Sequence, residues 1–572
     1  MPFYKNNEIQ AGLTYAFSLK PTDFCLLIFS SLIINLFSLV VPIITFQVYD
    51  RILSFQSVGT LQTLTAGAAI IIIMDVILKL ARTSMTNWAA ARFEHAAFSD
   101  TLEHLMRSKL LSLRQYSPGE QLQRINAIAK LKSFYSGQSL INIVDLPFVL
   151  IFLGFIAYLA GWLVLVPLVL LAAFGLYALF LSKEMNKSLV LRDEDDDKRI
   201  NFISEILDNI HTVKMLGLEK AFQRRHENLQ KQNVLESYNL SKQNSQSYNA
   251  AALFTQIMMV TMVAIGALIV LDGQITMGVL IACVLVSGRI MQPVQRTLSF
   301  WISFQEYHLA NKKVGEIIRL PEQSIIDETS LNTAKGRVDI QKLNFSYDNQ
   351  NAIFKNLDLK LEAGDSVALV HSTGVGRTTF MKLLAGLYEP TSGQILIDGT
   401  ETSHIPKTRF AQYVGYLPPN SDIFQGTIMD NLTGFRPEME EKAFEMAGYL
   451  GIDKVVSKLA HGYETELFDG PADPITPGMK QRITIARILI NRPRIILFDR
   501  ADSSLDKEGY NHLFRLMGQL KGQATMIIIS NDRNILHLAE REYFITDGKL
   551  ELNKDVYKES DNIVTLFKEF RE

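Results

Sequence analysis

Cysteine is almost absent from this chain: there are two in 572 residues, Cys25 and Cys283, and both lie inside long apolar runs. Thiols so placed supply neither a disulfide framework nor a metal-ligand cluster and read as small apolar residues. An excess of charge of one sign is missing too. Against 59 acidic residues stand 57 basic ones, a formal net charge of -2, which leaves no electrostatic footprint for nucleic acid. The opening residues, MPFYKNNEIQAGLTYAF, lack the charged, apolar and small-residue succession of a cleaved signal peptide. No low-complexity segment or sequence repeat interrupts the chain. Disulfide-stapled scaffolds, nucleic-acid-binding proteins and repeat arrays are set aside on these grounds.

What the chain has instead is apolar length. Runs of about 20 residues, enough to cross a bilayer, stand near residues 24 to 44, 61 to 80, 141 to 160, 162 to 181, 251 to 271 and 277 to 294. A long polar segment carrying Arg82, Arg92, Arg107, Lys130 and other cations separates the second run from the third, and another, carrying Lys183, Arg192, Lys198 and Lys214, separates the fourth from the fifth. The opposite connections are short and nearly uncharged: Asp50 with Arg51, then Gly161, then Asp272. The positive-inside tendency places both termini and the long segments in the cytoplasm. Those segments read as helical, so the spans are expected to continue into the cytoplasm as extended helices. Two acids fall within the runs. Asp75, in IIIIMDVIL, is costly at membrane depth and is the pathway candidate, whereas Asp145, shortly before Pro147, reads as a helix kink or span end.

The stretch LPEQSIIDETSLNTAKGR, residues 320 to 337, is polar and turn-rich and reads as a linker. It divides the chain into a transmembrane domain, 1–319, with about six spans and long cytoplasmic helical loops, and a second domain, 338–572. In the second domain VALVHSTGVGRTTF, residues 367 to 380, follows the outline of a phosphate-binding P-loop, GxxxxGK[ST], between a strand-like run and a helix-like one. Glycines in such a loop let backbone N–H groups close around phosphates, and a lysine neutralises the β/γ charge. Gly374, Gly376, Thr378 and Thr379 keep the pattern; His371 replaces its first glycine and Arg377 its lysine. RIILFD, residues 494 to 499, is an apolar strand ending in Asp499, where a carboxylate would reach Mg²⁺ through water.

Further landmarks follow in a fixed order. ITPGMKQRITIARIL stands where ATP-binding cassette (ABC) proteins carry LSGGQxQR, Tyr347 where they stack an aromatic ring on adenine, and SSLD, ending at Asp506, resembles their D-loop. One membrane half fused to one ATPase half resembles a half-size ABC exporter. FQVYDRILSFQSVGTL (46 to 61), VDLPF (144 to 148) and VLVSGRIMQPV (284 to 294) look like the corresponding stretches of the type I secretion permease/ATPases. The resemblance implies a six-span helical membrane domain followed by an α/β P-loop nucleotide-binding domain, in the bacterial inner membrane with that domain cytoplasmic. It also implies dimeric assembly, polypeptide export, and work with a periplasmic adaptor and an outer-membrane channel. No peptidase-like domain precedes the first run, so a processing peptidase is not expected.

The same resemblance marks what has changed. Where the family has a water-polarising glutamate stands Arg500, for the switch histidine stands Asn531, and for the Q-loop glutamine stands Pro419. In the signature Thr476 keeps a hydroxyl in place of serine, Pro477 replaces a glycine and removes a backbone N–H, Gly478 persists, and Met479 replaces glutamine. A guanidinium cannot accept a proton at physiological pH. Binding, hydrolysis, sensing and cross-dimer contact are all struck, while Gly374, Gly376, Thr378, Asp499 and Asp506 remain. The sequence therefore points to a degenerate domain without competent catalytic residues. Tyr347, Gly374, Gly376, Arg377, Thr378 and Thr379 are its nucleotide-binding candidates, and Thr378 and Asp499 its Mg²⁺ candidates. Weak ATP binding and none at all are both compatible with these residues. Two functions stay open: a transporter subunit dimerised with a catalytically competent half-transporter, or a non-transporting membrane scaffold or regulator of a secretion system.

Overall fold

The computed structural model describes residues 21–135, 138–322, 335–348, 351–370, 376–468, 470 and 473–553. The chain divides into two compact units, Met1–Ser108 with Ser112–Glu322, and Lys109–Leu111 with Gln323–Glu572.

The first unit is helical. Its longest helices are Val58–Arg107, Leu165–Asp208, Glu219–Leu271 and Met277–Ile318. The Glu219–Leu271 helix has 53 residues. At a rise of about 1.5 Å per residue it is roughly 80 Å long, well beyond the ~30 Å of a hydrocarbon core. Its polar N-terminal half is thus a helical extension of an apolar span, as the sequence pattern predicts. Among the described residues, five stretches are long and apolar enough to cross a membrane. The sequence reading of six divides one of these, Ile141–Asp208, at Gly161. There a φ of +51° and the 3-10 turn Gly161–Val164 separate helix Val149–Ala160 from helix Leu165–Asp208.

The apolar core of this unit is built from Phe152, Ile156, Leu163, Phe174, Met258, Met262, Cys283, Val286 and Ile290. The same helices turn Leu150, Tyr158, Leu176, Val260 and Leu268 outward, all exposed. A band of exposed large apolar side chains is what a lipid-facing surface requires. A buried polar cluster ties three of the helices together. Arg82, on Val58–Arg107, donates through Nη1 to Asp145 Oδ1 at 3.0 Å and to Ser31 Oγ at 2.8 Å, and Asn35 Nδ2 lies 3.3 Å from the same carboxylate oxygen. Arg82, counted in the sequence among the cations of the polar segment, is buried here. Asp145 ends helix Gln138–Asp145 just before the 3-10 turn Leu146–Phe148, the span end expected of it, and it also has an internal partner. Asp75, the pathway candidate, pairs with Lys79 one turn along its own helix at 2.5 Å, with the lysine side chain half exposed.

The second unit carries strands β1 (Val338–Ser346), β2 (Ala352–Leu361), β3 (Ser366–Val370), β4 (Ser392–Ile397), β5 (Thr400–Glu401), β6 (Val414–Leu417), β7 (Gly426–Thr427), β8 (Glu466–Leu467), β9 (Ile495–Asp499), β10 (Thr525–Ile529), β11 (Arg541–Thr546) and β12 (Lys549–Leu552). One sheet runs β2-β1-β4-β5 and is antiparallel. The other runs β12-β11-β3-β10-β9-β6, parallel throughout except for the edge strand β12. SVALV, IILFD and TMIII are nearly continuous apolar runs because a central parallel strand is covered on both faces; β9 and β10 are buried at every position. In a parallel sheet the carboxyl ends of the strands share one edge, where ligands of such folds bind. Among the described residues, that edge gathers those following β6, β9 and β10.

Candidate functional site

β3 ends at Val370, and the helix Arg377–Leu384 starts after Gly376. His371 and Gly374 lie outside the described residues. Gly376 has φ +89°, and a Cβ there would come within 2.9 Å of Ile353 Cγ2 and 3.0 Å of Phe354 Cζ. Both backbone and packing therefore require glycine at this turn. Arg377 opens the helix and is half-buried. Thr379, one residue beyond Thr378, is buried and shares a 2.9 Å hydrogen bond with the Tyr347 hydroxyl. Tyr347 meets Phe345 and Tyr388 edge-on, with centroids 5.1 and 5.7 Å away. This fixes a ring that is still 47% exposed.

Asp499, last in β9, is fully buried. Thr378 Oγ1 lies 3.4 Å from its Oδ1, and the Tyr416 hydroxyl, from β6, donates to its Oδ2 at 3.1 Å. Burial, then the Asp499 charge, push the Tyr416 phenol well above its ordinary value, so it stays protonated and donates. Arg500 takes a left-handed backbone, φ +51°, held by its N–H donating to Ile529 O at 2.7 Å. Its Nε lies 3.6 Å from Asp499 Oδ1.

Pro419 follows β6 and offers its carbonyl to the hydroxyls of Ser503 and Ser504 at 3.4 and 3.3 Å. Buried Gln481 donates to Pro418 O at 2.8 Å and to Ala501 O at 3.2 Å. The segment after β6, the helix Pro477–Leu489 at the signature and the turn after β9 are thereby one hydrogen-bonded assembly. Asn531, after β10, is exposed. Beside it Ser530 Oγ donates to Asp502 at 2.7 Å, and the Tyr510 hydroxyl donates to Asp532 at 2.7 Å. Burial raises the Asp502 carboxyl despite that hydrogen bond.

Thr476 caps the helix Pro477–Leu489, its side chain accepting from Met479 N at 3.2 Å. Pro477 is at the first helical position, where its ring fits and its missing N–H would have had no partner within the helix. What it removes is a donor pointing out of the helix N-terminus. A Cβ on Gly478 would stand 3.2 Å from Asp506 N and 3.4 Å from Ser504 O, a close packing that favours glycine. Asp506 caps the helix Lys507–Leu520 by accepting from Gly509 N at 3.0 Å, and it pairs with Arg482. Burial raises this carboxyl, but Arg482 and the Gly509 N–H outweigh burial and hold it below the usual range.

The structure thus gathers Thr378, Asp499 and Arg500 at one carboxylate, joins Tyr347 to Thr379, and sets Thr476, Pro477, Gly478 and Asp506 together at the signature helix. Tyr416, Gln481, Arg482 and Asp502 escaped the sequence reading. A tyrosine in the otherwise apolar VGYL strand was a signal for the first.

Residues 24–294 match the family described as ABC transporter transmembrane region, and residues 354–503 match the ABC transporter family. The alpha-hemolysin translocation ATP-binding protein HlyB of Escherichia coli O157:H7 is 27% identical over 541 residues, 93% of this chain and 76% of that protein. The exotoxin translocation ATP-binding protein PaxB of Pasteurella aerogenes is 26% identical over 522 residues, 91% of this chain and 73% of that one. The leukotoxin export ATP-binding protein LtxB of Aggregatibacter actinomycetemcomitans is 26% identical over the same length, 91% of this chain and 74% of that one. Among solved structures, a bacterial Atm1-family ABC exporter with ATP bound superposes with a TM-score of 0.82 at 19% identity, over 96% of this chain and 97% of that one. At this identity the likeness is one of fold.

Proposed function

We propose that this chain, which belongs to the half-size ABC exporters, is a transport subunit of the type I secretion kind, carrying a polypeptide or similar cargo across a bacterial inner membrane while ATP is cleaved at motifs other than its own. The observation that carries this reading is Arg500. It follows a buried carboxylate at the end of β9, and its side chain offers five donors and no acceptor, so no water can be deprotonated there. Asn531, exposed after β10, brings an amide where the family has an imidazole. A competent partner would supply its own P-loop, base and switch histidine, while this chain offers it Thr476, Gly478 and half of the pathway. The secretion branch is supported by relatives whose names describe translocation of alpha-hemolysin and an exotoxin and export of a leukotoxin. A periplasmic adaptor and an outer-membrane channel are proposed on that likeness.

The chain keeps a place for nucleotide: the exposed Tyr347 ring for a base, and Arg377 and Thr378 at the start of the helix for phosphates. Turnover is the function it lacks. Loss of a general base or a phosphate sensor commonly costs on the order of 10² to 10⁴ in rate, with effects inside one site not additive. Purified alone, the chain is expected to hydrolyse ATP at no more than background while nucleotide binding is measured on the same sample. Robust activity free of any partner overturns the reading. Pro477, which withdraws a donor from the face offered to a partner's nucleotide, favours a second reading, a membrane scaffold or regulator of a secretion system. An inactive chain that captures no half-transporter would select it.

A further inference from the structure

The oxygens a divalent ion would use at Asp499 are already engaged by the chain. Oδ2 accepts the Tyr416 phenol at 3.1 Å, while Oδ1 has Thr378 Oγ1 at 3.4 Å and Arg500 Nε at 3.6 Å. Mg²⁺ needs a near-octahedral oxygen shell at about 2.0–2.1 Å and keeps several waters, through which it meets a carboxylate of this kind. The phenol already takes up one acceptor site of Oδ2. A guanidinium is charged at every physiological pH, so the buried carboxylate is balanced without a metal, and a second cation beside Arg500 meets repulsion rather than a vacant negative charge. The donor set does not fit a divalent ion.

The backbone makes this arrangement more than a mobile side chain near an acid. Arg500 is held in the left-handed region by the 2.7 Å hydrogen bond from its N–H to Ile529 O. Tyr416 is placed from the adjacent strand by the register that pairs Tyr416 with Leu497 and Leu417 with Phe498. Tyr416 is thus delivered to Asp499 by the sheet, and the Arg500 backbone is fixed directly beside it. Arg377, at the first position of its helix, adds a second guanidinium to the sequence of the site.

We propose that Arg500 is the resident cation of this nucleotide site and, with Tyr416, closes Asp499 to divalent metal, so that the site takes a nucleoside triphosphate as the free polyphosphate rather than as its Mg²⁺ complex. This rests on the reading that the chain keeps a nucleotide site without turnover, and it concerns binding, so hydrolysis assays decide that reading separately.

The test uses the full-length chain in detergent or nanodiscs. ATP affinity is measured by calorimetry in EDTA and again in MgCl₂, and protein-bound Mn²⁺ is measured by electron paramagnetic resonance in the absence of nucleotide. The expected result is the same ATP affinity within about threefold in the two buffers, a difference under 1 kcal/mol, and no protein-bound Mn²⁺. Arg500→Gln keeps the length of the side chain and removes its charge. It should weaken ATP binding in EDTA by about tenfold, the scale of one charge-assisted contact, and make binding respond to Mg²⁺. The double variant Tyr416→Val, Arg500→Glu should gain one Mn²⁺ site. ATP binding that needs Mg²⁺, or is absent in EDTA, overturns the proposal, as does Mn²⁺ bound by the unaltered chain. An Arg500→Gln chain that remains folded and binds ATP in EDTA as tightly as before overturns the role of Arg500.

Discussion

Arg500 alters two properties at one position. On the proposed reading it removes an acceptor where a water would be activated, and it adds a cation 3.6 Å from the buried Asp499. Restoring a carboxylate therefore repairs only one of them. Arg500→Glu is expected to leave ATP turnover at background, because His371, Arg377 and Pro419 are untouched. The new acid would also lie beside an Asp499 that has lost its cation, and like charges at such range disfavour joint ionisation. Phosphate release by the purified variant checks this; a rise approaching the 10²- to 10⁴-fold worth of a working base, by order of magnitude, would show that the other departures are tolerated. Motif spacing alone singles out Arg500, Asn531 and Pro419, and each lies just after a strand, β9, β10 and β6 respectively. What they touch was not legible. Tyr416 reaches Asp499 from 83 residues away and Gln481 reaches Pro418 from 63; the first partnership comes from pairing of two parallel strands and the second from a helix packed beside one of them.

At the scale of whole elements the same limit appears in the membrane unit. Hydropathy marks Asp75 and Asp145 alike as costly acids, and nothing local says which has a partner. Asp75 is answered within its own helix by Lys79, whereas Asp145 is answered by Arg82 from another helix, with Ser31 and Asn35 from a third. Removing one member of a buried pair leaves the other charge unmatched, at a cost of about 3–5 kcal/mol. Arg82→Ala should therefore lower the thermal stability of the detergent-solubilised chain severely, and Arg82→Met with Asp145→Leu much less. If the single and double variants melt alike, the pair is not what joins these helices. A second element-level device precedes the signature helix, where Asp473 pairs with Lys480 at 2.6 Å and accepts from the N–H groups of Phe468 and Gly470. Burial raises this carboxyl, but Lys480 and the backbone donors outweigh burial and hold it below its ordinary value. A depressed folded value means that its stabilisation is complete above the unfolded value of about 3.9 and fades as pH falls through the folded one. Between pH 7 and 5 the melting temperatures of the chain and of Asp473→Asn should stay a constant distance apart, and the gap should narrow below about pH 4. A gap that widens on acidification would contradict the assignment.

The molecule as a whole supplies one membrane unit and one nucleotide unit, half of what an ABC exporter needs. ABC nucleotide sites are composite, each joining one chain's P-loop to the other chain's signature. On the proposed reading, a homodimer of this chain would combine two sites without a base or a switch histidine with two signatures whose helices begin at Pro477, and is expected not to turn over. A hetero-assembly has one workable combination: the partner's P-loop, base and histidine facing the Thr476–Gly478 segment of this chain. That segment keeps a capped helix and a close-packed glycine and lacks one outward donor, which for a group aimed at developing charge is worth roughly 2.7–4 kcal/mol, or 10² to 10³ in rate. The assembly is therefore expected to cleave ATP slowly, and only through the partner. Co-expression with a competent half-transporter, isolation by a tag on this chain, and comparison of ATPase activity with and without a glutamate knockout in the partner provide the measurement. Activity abolished by the knockout, and raised when Pro477 is replaced by glycine, is the expected outcome. Activity that survives the knockout, or a stable homodimer that never captures the partner, would exclude the pairing and move the weight to a scaffold.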